Sequence, residues 1–314
     1  MPAMLRSILP LLLLAVLAGP GQAQTRDRGP LVLELPASTR ALALGNAFQL
    51  ASRDSDAVFY HPGRLLRAQG LVGSLQRFSA AGTLTTLSAG QAWFGGGVAL
   101  GIQNLAYEAP VRRPHSVTDI LGLSADEGSL RDEGEVGASE TVISAGYGRS
   151  LMGLDVGVVG KCVEQRFDFR KASTVAVDLG LATSAGPLTI GLSAQNLGQD
   201  LTFAGDDIPL PARLTLGASS EAAMVGPLDV AATTALSYRL DGDLVPSMGL
   251  EVGYWPITGR TFVGRVGYRH RSDDYTAWPF TFGGAFLGDD ITLEYAYQGF
   301  EEGDPSHRFS LGWR

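Results

Sequence analysis

Cysteine, lysine and histidine are scarce in this chain, and each scarcity removes a class of protein. The single Cys162 cannot form an internal disulfide, so the fold relies on none. Its role is that of a small apolar side chain in a strand. Lys161 and Lys171 are the only lysines, which leaves arginine to make most cationic contacts. The histidines are four, and His115 and His307 have no partners at metal-ligand spacing. No metal and no cofactor is therefore expected. A net charge of −8 and a pI near 5 argue against nucleic acid as a partner. Beyond Ala18 no apolar run is long enough for a membrane helix. A phosphate-binding Gly loop is missing too, because the 41 glycines fall within alternating strands and turns. Glycines so placed suit close strand packing and argue against a helical enzyme.

What is present begins with an export signal. Arg6 supplies a positive n-region, Leu9 to Ala18 an apolar core, and Gly21 and Ala23 the small residues for cleavage before Gln24. No cysteine lies near that cut, so a lipid anchor is not expected. Mean hydropathy is only +0.11 with 45% hydrophobic residues. Alternation dilutes hydrophobicity in barrels, so these values are compatible with a membrane wall of strands.

The far end carries the clearest signal. In His307 to Arg314, Phe309, Leu311 and Trp313 point one way from a strand, and Arg308, Ser310, Gly312 and Arg314 the other. An edge strand of this kind would aggregate in water. Paired with the first strand of a barrel in lipid, it leaves no edge. The same period of two recurs at Val175, Val177, Leu179 and Leu181; at Leu188, Ile190 and Leu192; at Leu250, Val252 and Tyr254; and at Ile291, Leu293, Tyr295 and Tyr297.

From Leu71 onward about fourteen strands are expected, with short turns on the periplasmic side. Those turns are read at Gly95-Gly96-Gly97, around Ser150, at Ala185-Gly186, around Ala223, at Ile257-Thr258-Gly259 and at Gly288-Asp289. The long loops all fall on the other side, at Glu108 to Ser139, Gly198 to Pro209, Arg271 to Ala277 and Glu301 to Ser306. Aromatics sort into two belts, with Tyr147, Trp255, Phe286 and Trp313 at inner strand ends and Tyr107, Phe167, Tyr238, Tyr268 and Tyr297 at outer ends. The expected fold class is all-β, a transmembrane antiparallel β-barrel of about 14 strands with an N-terminal segment plugging the lumen. Its divisions are a signal peptide at 1–23, a plug segment at 24–69 and the barrel at 70–314, seated in the lipid of an outer membrane.

Within the plug, Ser38 is positioned to cap a short helix through Ala41, Leu42, Leu44, Ala47 and Phe48, which Asp54-Ser55-Asp56 breaks. His61-Pro62-Gly63 then forces an extended or turned stretch. The segment is too short for its own core, so Arg40 to Leu66 is expected inside the barrel. Leu42, Leu44, Phe48 and Phe59 would offer apolar surface to a ligand, the alternative being a static stopper. Arg40, Asp54, Asp56 and His61 are its polar candidates. Strand parity places Lys161, Asp178, Glu251, Arg265, Arg269 and Glu294 in the lumen, since a charge facing lipid costs about 2–4 kcal/mol at the midplane. They either select solutes or hold the plug.

The loop with Asp119, Asp126, Glu127, Asp132, Glu133 and Glu135 lacks calcium-loop spacing and reads as solvated or partner-binding. His270 and Ser272 bear a weak similarity to outer-membrane phospholipases. No orienting group or oxyanion site accompanies them, and no enzyme is expected.

Several stretches together resemble the PorV/PorQ family, relatives of the FadL-type fatty-acid channels. They are Arg40-Ala41-Leu42-Ala43-Leu44-Gly45-Asn46-Ala47-Phe48, Asp54-Ser55-Asp56-Ala57-Val58-Phe59-Tyr60 and His61-Pro62-Gly63, where the family usually reads Asn-Pro-Ala. Asp178-Leu179-Gly180, Gln195-Asn196-Leu197-Gly198, Leu210-Pro211, Gly249-Leu250-Glu251, Arg265-Val266-Gly267-Tyr268 and Leu293-Glu294-Tyr295 continue the match. The resemblance implies a fourteen-strand barrel with its N-terminal segment in the lumen. For function it implies a carrier in protein export of type IX secretion kind, with exported or secretion-machinery proteins as partners. The alternative is passive diffusion of long-chain fatty acids or other hydrophobic small molecules.

Overall fold

The computed structural model describes residues 29–47, 50, 54–78, 82–110, 135–168, 170–203, 205–240, 242–257, 259–270, 277–301 and 303–314. The expected signal peptide, Phe48, Ser272 and the acidic positions 119 to 133 lie outside these residues.

The wall opens with β1 (Gly70–Arg77), β2 (Gly82–Trp93), β3 (Gly96–Pro110) and β4 (Glu135–Leu151). It continues with β5 (Leu154–Phe167), β6 (Arg170–Ala185) and β7 (Leu188–Gly198). Two three-residue strands, β8 (Leu201–Phe203) and β9 (Asp206–Ile208), pair only with each other. The wall resumes at β10 (Arg213–Ser220), passes a short β11 (Ala223–Val225) and goes on through β12 (Leu228–Arg239) and β13 (Leu244–Ile257). β14 (Arg260–Arg269), β15 (Ala277–Leu287), β16 (Ile291–Phe300) and β17 (Ser306–Trp313) complete it.

β10 pairs directly with β12, and β11 pairs with β12 alone, so fourteen antiparallel strands make the closed circuit. The last strand meets the first in register from Leu71 opposite Trp313 to Arg77 opposite His307. Every strand in the circuit has two neighbours, and no edge is left.

The faces are inverted relative to a soluble sandwich. Val175, Val177, Leu179, Leu181, Phe309, Leu311 and Trp313 are exposed on the outer wall, while Gln76, Asp178, Gln195 and Arg308 are buried on the inner one. An apolar exterior around a polar interior is the arrangement lipid demands. Cys162 is exposed on the outer wall, as a small apolar residue would be.

Some expected connections differ. Gly96 and Gly97 belong to β3, and the turn before them is Phe94-Gly95, both at positive φ (47° and 69°). Met152-Gly153 makes the next such turn (53° and 84°), close to the expected Ser150. A two-residue hairpin needs both central residues left-handed, and glycine meets that need at one of them. The expected turn around Ala223 is instead β11, with the chain reversing at Gly226 (φ 64°). The expected loop at Gly198 to Pro209 contains the β8–β9 hairpin.

The helix in the N-terminal segment is also shorter than expected, running only Thr39–Ala43. Ser38 caps it as read, its Oγ accepting from Ala41 N at 3.1 Å. Gly45 and Asn46, at φ 65° and 58°, end it before Ala47. Asp54 precedes a 3-10 turn, Ser55–Phe59, and Pro62 opens another, Pro62–Arg67. This segment touches inward positions from β2 through β6 and from β14 through β17. Contacts that distributed can be made only from within the circuit.

Candidate functional site

Glycines hold one side of the N-terminal segment. A Cβ at Gly97 would lie 1.9 Å from Leu65 O, and one at Gly157 would lie 2.1 Å from Pro62 O. No larger residue fits either place without moving the segment, so the turn Pro62–Arg67 sits directly on the backbone of β3 to β6. Phe59 packs over Gly101 and Leu44 over Gly249 in the same way. Leu42, Leu44 and Phe59, read as possible ligand contacts, are all buried, and Leu44 and Phe59 fill hollows that wall glycines leave. His61 is buried beside Gly191, and burial first, then the Arg64 charge, lowers its pKa to about 4.

On the other side, where a Cβ at Gly267 would likewise lie 1.9 Å from Gly45 N, charges are added. Glu251 on β13 accepts from Arg40 at 2.5 and 3.0 Å and from Arg265 Nε at 2.7 Å. Arg265 donates onward to Glu294 Oε1 at 2.7 Å, whose other oxygen accepts from Ser310 at 3.0 Å. Asp54 meets Arg314 at 2.5 Å and Arg40 at 3.9 Å. Asp56 is buried in the same region; burial, then the charge of Asp54, raises its pKa to about 7. Of the charges assigned to the lumen by parity, Glu251, Arg265 and Glu294 thus meet in one network. Lys161 on β5 and Asp178, at a bulge between β6 and β7, form a separate buried pair at 2.7 Å. There Asn196, at φ 58°, donates its N–H to Asp178 Oδ1 at 2.7 Å. Arg269 belongs to neither cluster and lines a small cavity with Arg213, Arg239 and Glu34.

A third fixture sits on the closing strand. Arg308 is fully buried and spans both partners of the seam. It donates to Ser74 Oγ on β1 at 2.6 and 3.1 Å, to Gln76 Oε1 at 3.1 Å and to Thr86 Oγ1 on β2 at 3.1 Å. It also donates to Pro36 O at 2.6 Å and to Ala37 O. The alternation of β17 turns Arg308 inward; nothing local to it names these partners.

Toward the long-loop end the lumen changes character. Val32 and Leu33 pack with inward Leu84, Leu105, Val142, Val163 and Leu210 into an apolar cluster, with Leu35, Phe78 and Tyr107 at its margin. Glu140 fixes the start of this stretch by accepting from Val32 N at 2.7 Å. A cavity of about 670 Å³ lies at that end, lined by Phe78, Tyr107, Arg77, Arg166 and Asp168. Sequence reasoning missed Val32 and Leu33, although their apolar run before Pro36 was visible. Two other hollows, of about 700 and 620 Å³, lie on apolar stretches of the lipid-facing wall. Lipid chains would fill them.

His270 is exposed at the end of β14, and His307 is engaged by the Tyr295 hydroxyl at 2.8 Å. Among the described residues no three His, Cys, Asp or Glu side chains gather as a metal site.

No family model and no curated protein matches the chain. Solved structures do match. The Pseudomonas putida toluene transporter TodX aligns over 92% of this chain and 98% of its own, at 13% identity and a TM-score of 0.57. The Ralstonia pickettii toluene transporter TbuX aligns over 88% and 98%, at 16% identity and 0.54. A Pseudomonas aeruginosa FadL homologue aligns over 88% and 98%, at 9% identity and 0.52. The chain shares their fold. At these identities the likeness shows the fold alone: it agrees with the barrel that the resemblance read from the sequence implies, and it gives the PorV/PorQ assignment no support.

Proposed function

We propose that the protein is an outer-membrane channel that admits hydrophobic small molecules passively, residues 29–69 being a stopper within it. The observation that carries this reading is the apolar cluster at Val32 and Leu33, which lies at the long-loop end of the lumen next to an outer cavity of about 670 Å³. An apolar solute leaving water gains from such a surface, by about 25 cal/mol for each Å² buried. The shared fold with toluene transporters supports the same solute class. No bond-making step is part of the reading. Passage requires the outer part of the stopper to move, because Val32 and Leu33 are themselves buried in the cluster.

The test is uptake of labelled toluene and of a labelled long-chain fatty acid by cells lacking other such channels. The barrel should raise uptake of at least one over vector alone, and Leu33→Glu should abolish the gain. Equal uptake with and without a folded barrel would overturn the reading. The export-carrier reading rests on recognition of a protein by the long acidic loop, most of which lies outside the described residues. Recovery of an exported protein with the purified barrel would restore it.

A further inference from the structure

One ladder row at the long-loop end carries outward side chains that the passage of a solute does not use. It runs through His307 on β17, Arg77 on β1, Thr83 on β2, Ser139 on β4, Arg166 on β5 and Lys171 on β6. The small Ala106 on β3 stands between Thr83 and Ser139. Arg77 shares the parity of exposed Leu75, Arg166 that of exposed Cys162 and Lys171 that of exposed Val175. All three therefore point away from the lumen. Four residues down each strand, about 13 Å, the same face is apolar. Leu311, Leu87, Ile102, Ile143, Cys162 and Val175 stand there. The row thus lies where hydrocarbon gives way to headgroups.

The cations are confined to this side of the barrel. Near the outer ends of β12 to β15 the outward residues are Tyr238, Leu244, Tyr268, Trp278 and Phe280, none of them charged. Rings suit any membrane interface, whereas clustered cations at a membrane surface select anionic headgroups. In a chain of net charge −8 the cluster also takes one of only two lysines. Lys171 pairs with Glu164 at 2.5 Å. Among the described residues Arg77 makes no ion pair, and Arg166 is held by one bond, Nε to Asp168 O at 3.2 Å.

Arg77, Thr83, Ser139 and Arg166 all line the hollow of about 670 Å³, in which Asp168 is the one carboxylate among the described lining residues. Four strand spacings separate the two arginines, about 19 Å. A lone phosphate cannot reach both, and a phosphorylated disaccharide can. We infer that this hollow binds the headgroup of an outer-leaflet glycolipid, a disaccharide with a phosphate on each sugar. Arg77 and Arg166 take the phosphates, Thr83 and Ser139 meet sugar hydroxyls, and the acyl chains lie along the apolar row below. The inference needs the barrel to stand in an outer membrane, whichever solute it passes.

The test uses the purified full-length barrel in detergent and native mass spectrometry. Its probes are an acylated glucosamine disaccharide with two phosphates, the same lipid without phosphates, and phosphatidylglycerol. One bisphosphorylated molecule should be retained per barrel, about tenfold more tightly than either of the others. Arg77→Gln and Arg166→Gln should each weaken it about tenfold. Arg149→Gln, at an exposed position near the periplasmic end of β4, should change nothing. Equal retention of the phosphate-free lipid would overturn the proposal, and so would equal retention of phosphatidylglycerol, which would reveal a general anionic surface. Both of those outcomes are read on the unaltered barrel and do not depend on a variant folding. Unchanged retention in both arginine variants would overturn it as well. Loss of this selectivity in a barrel that still raises solute uptake would sink the lipid site and leave the channel standing.

Discussion

The two halves of the barrel grip the same segment through glycines on both sides and differ in what is added to them. On β3 to β6, Gly97 and Gly157 bring the wall backbone against the backbone of Pro62–Arg67, with one ion pair, Arg64 to Asp155 at 3.5 Å, beside them. On β13 to β16, where Gly249 and Gly267 meet Leu44 and Gly45, Arg40, Glu251, Arg265 and Glu294 add a chain of charge-assisted hydrogen bonds. Close packing has no substitute partner, because any gap forfeits its contacts outright. Removing one partner of a buried ion pair is costly too, because the other charge is left uncompensated. The difference teaches what each side responds to. The glycine contacts of β3 to β6 anchor the turn Pro62–Arg67 and answer to side-chain volume, while the ionic chain on β13 to β16 answers to charge.

The strongest challenge to this division is Arg308, which joins the two halves at the seam. Arg308→Met would leave the carbonyls of Pro36 and Ala37 without its donors. Ala37 O keeps the Thr86 hydroxyl at 3.0 Å, so the cost is about 1–3 kcal/mol for the Pro36 carbonyl. We expect the unheated detergent-solubilised barrel to lose its compact gel mobility at a lower temperature; an unchanged transition would show that the seam does not depend on it. Next comes the anchor. Gly157→Val should cost about 1–3 kcal/mol through overpacking and expose Pro62–Arg67 to protease. Continued protection would mean that the glycine contacts are not what holds this turn.

A smaller effect is expected on the charged side. Glu251→Gln should raise single-channel conductance in planar bilayers and leave the 62–67 turn protected. If that turn is cleaved as readily as in Gly157→Val, the halves are not independent. The smallest effect is a pH dependence. Asp56 has its pKa raised to about 7 by burial and by Asp54, so its neutral form is the one the fold prefers. Its contribution to stability is complete below the unfolded carboxylate value of about 3.9 and is lost as pH rises through about 7. His61 works in the opposite sense: its contribution holds above about 6.5 and is lost as pH falls through about 4. In Asp56→Asn the first loss should vanish and the second remain, read as thermal midpoints between pH 4 and 8. A variant that follows the parent over that range would remove Asp56 from the account.

Lipid made the wall legible in the sequence. The period of two along β6 and β17, and the closure of β17 on β1, follow from the need to face hydrocarbon and to leave no edge. Parity likewise placed Asp178, Glu251, Arg265 and Glu294 inward. It could not say that Glu251 would meet Arg40, because inward-facing residues share a lumen rather than a register. The seating of Leu44 and Phe59 over wall glycines is hidden in the sequence for a related reason. Apolar residues on a lone segment look available until the glycines opposite them are placed. The bulge at Asp178 and Asn196 escaped notice because Asn in a strand carries no period that distinguishes it from a solvated turn.

One consequence of the Arg308 contacts concerns time rather than architecture. The guanidinium and the two carbonyls that accept from it are 272 and 271 residues apart, nearly the length of the chain. Contacts of that separation form late, after the shorter ones have shortened the path between their partners. A polypeptide delivered from its N-terminus therefore presents Pro36 and Ala37 without their final donor until the last strand arrives. Ala37 O can already accept from Thr86 on β2 at that stage, whereas the Pro36 carbonyl waits for β17.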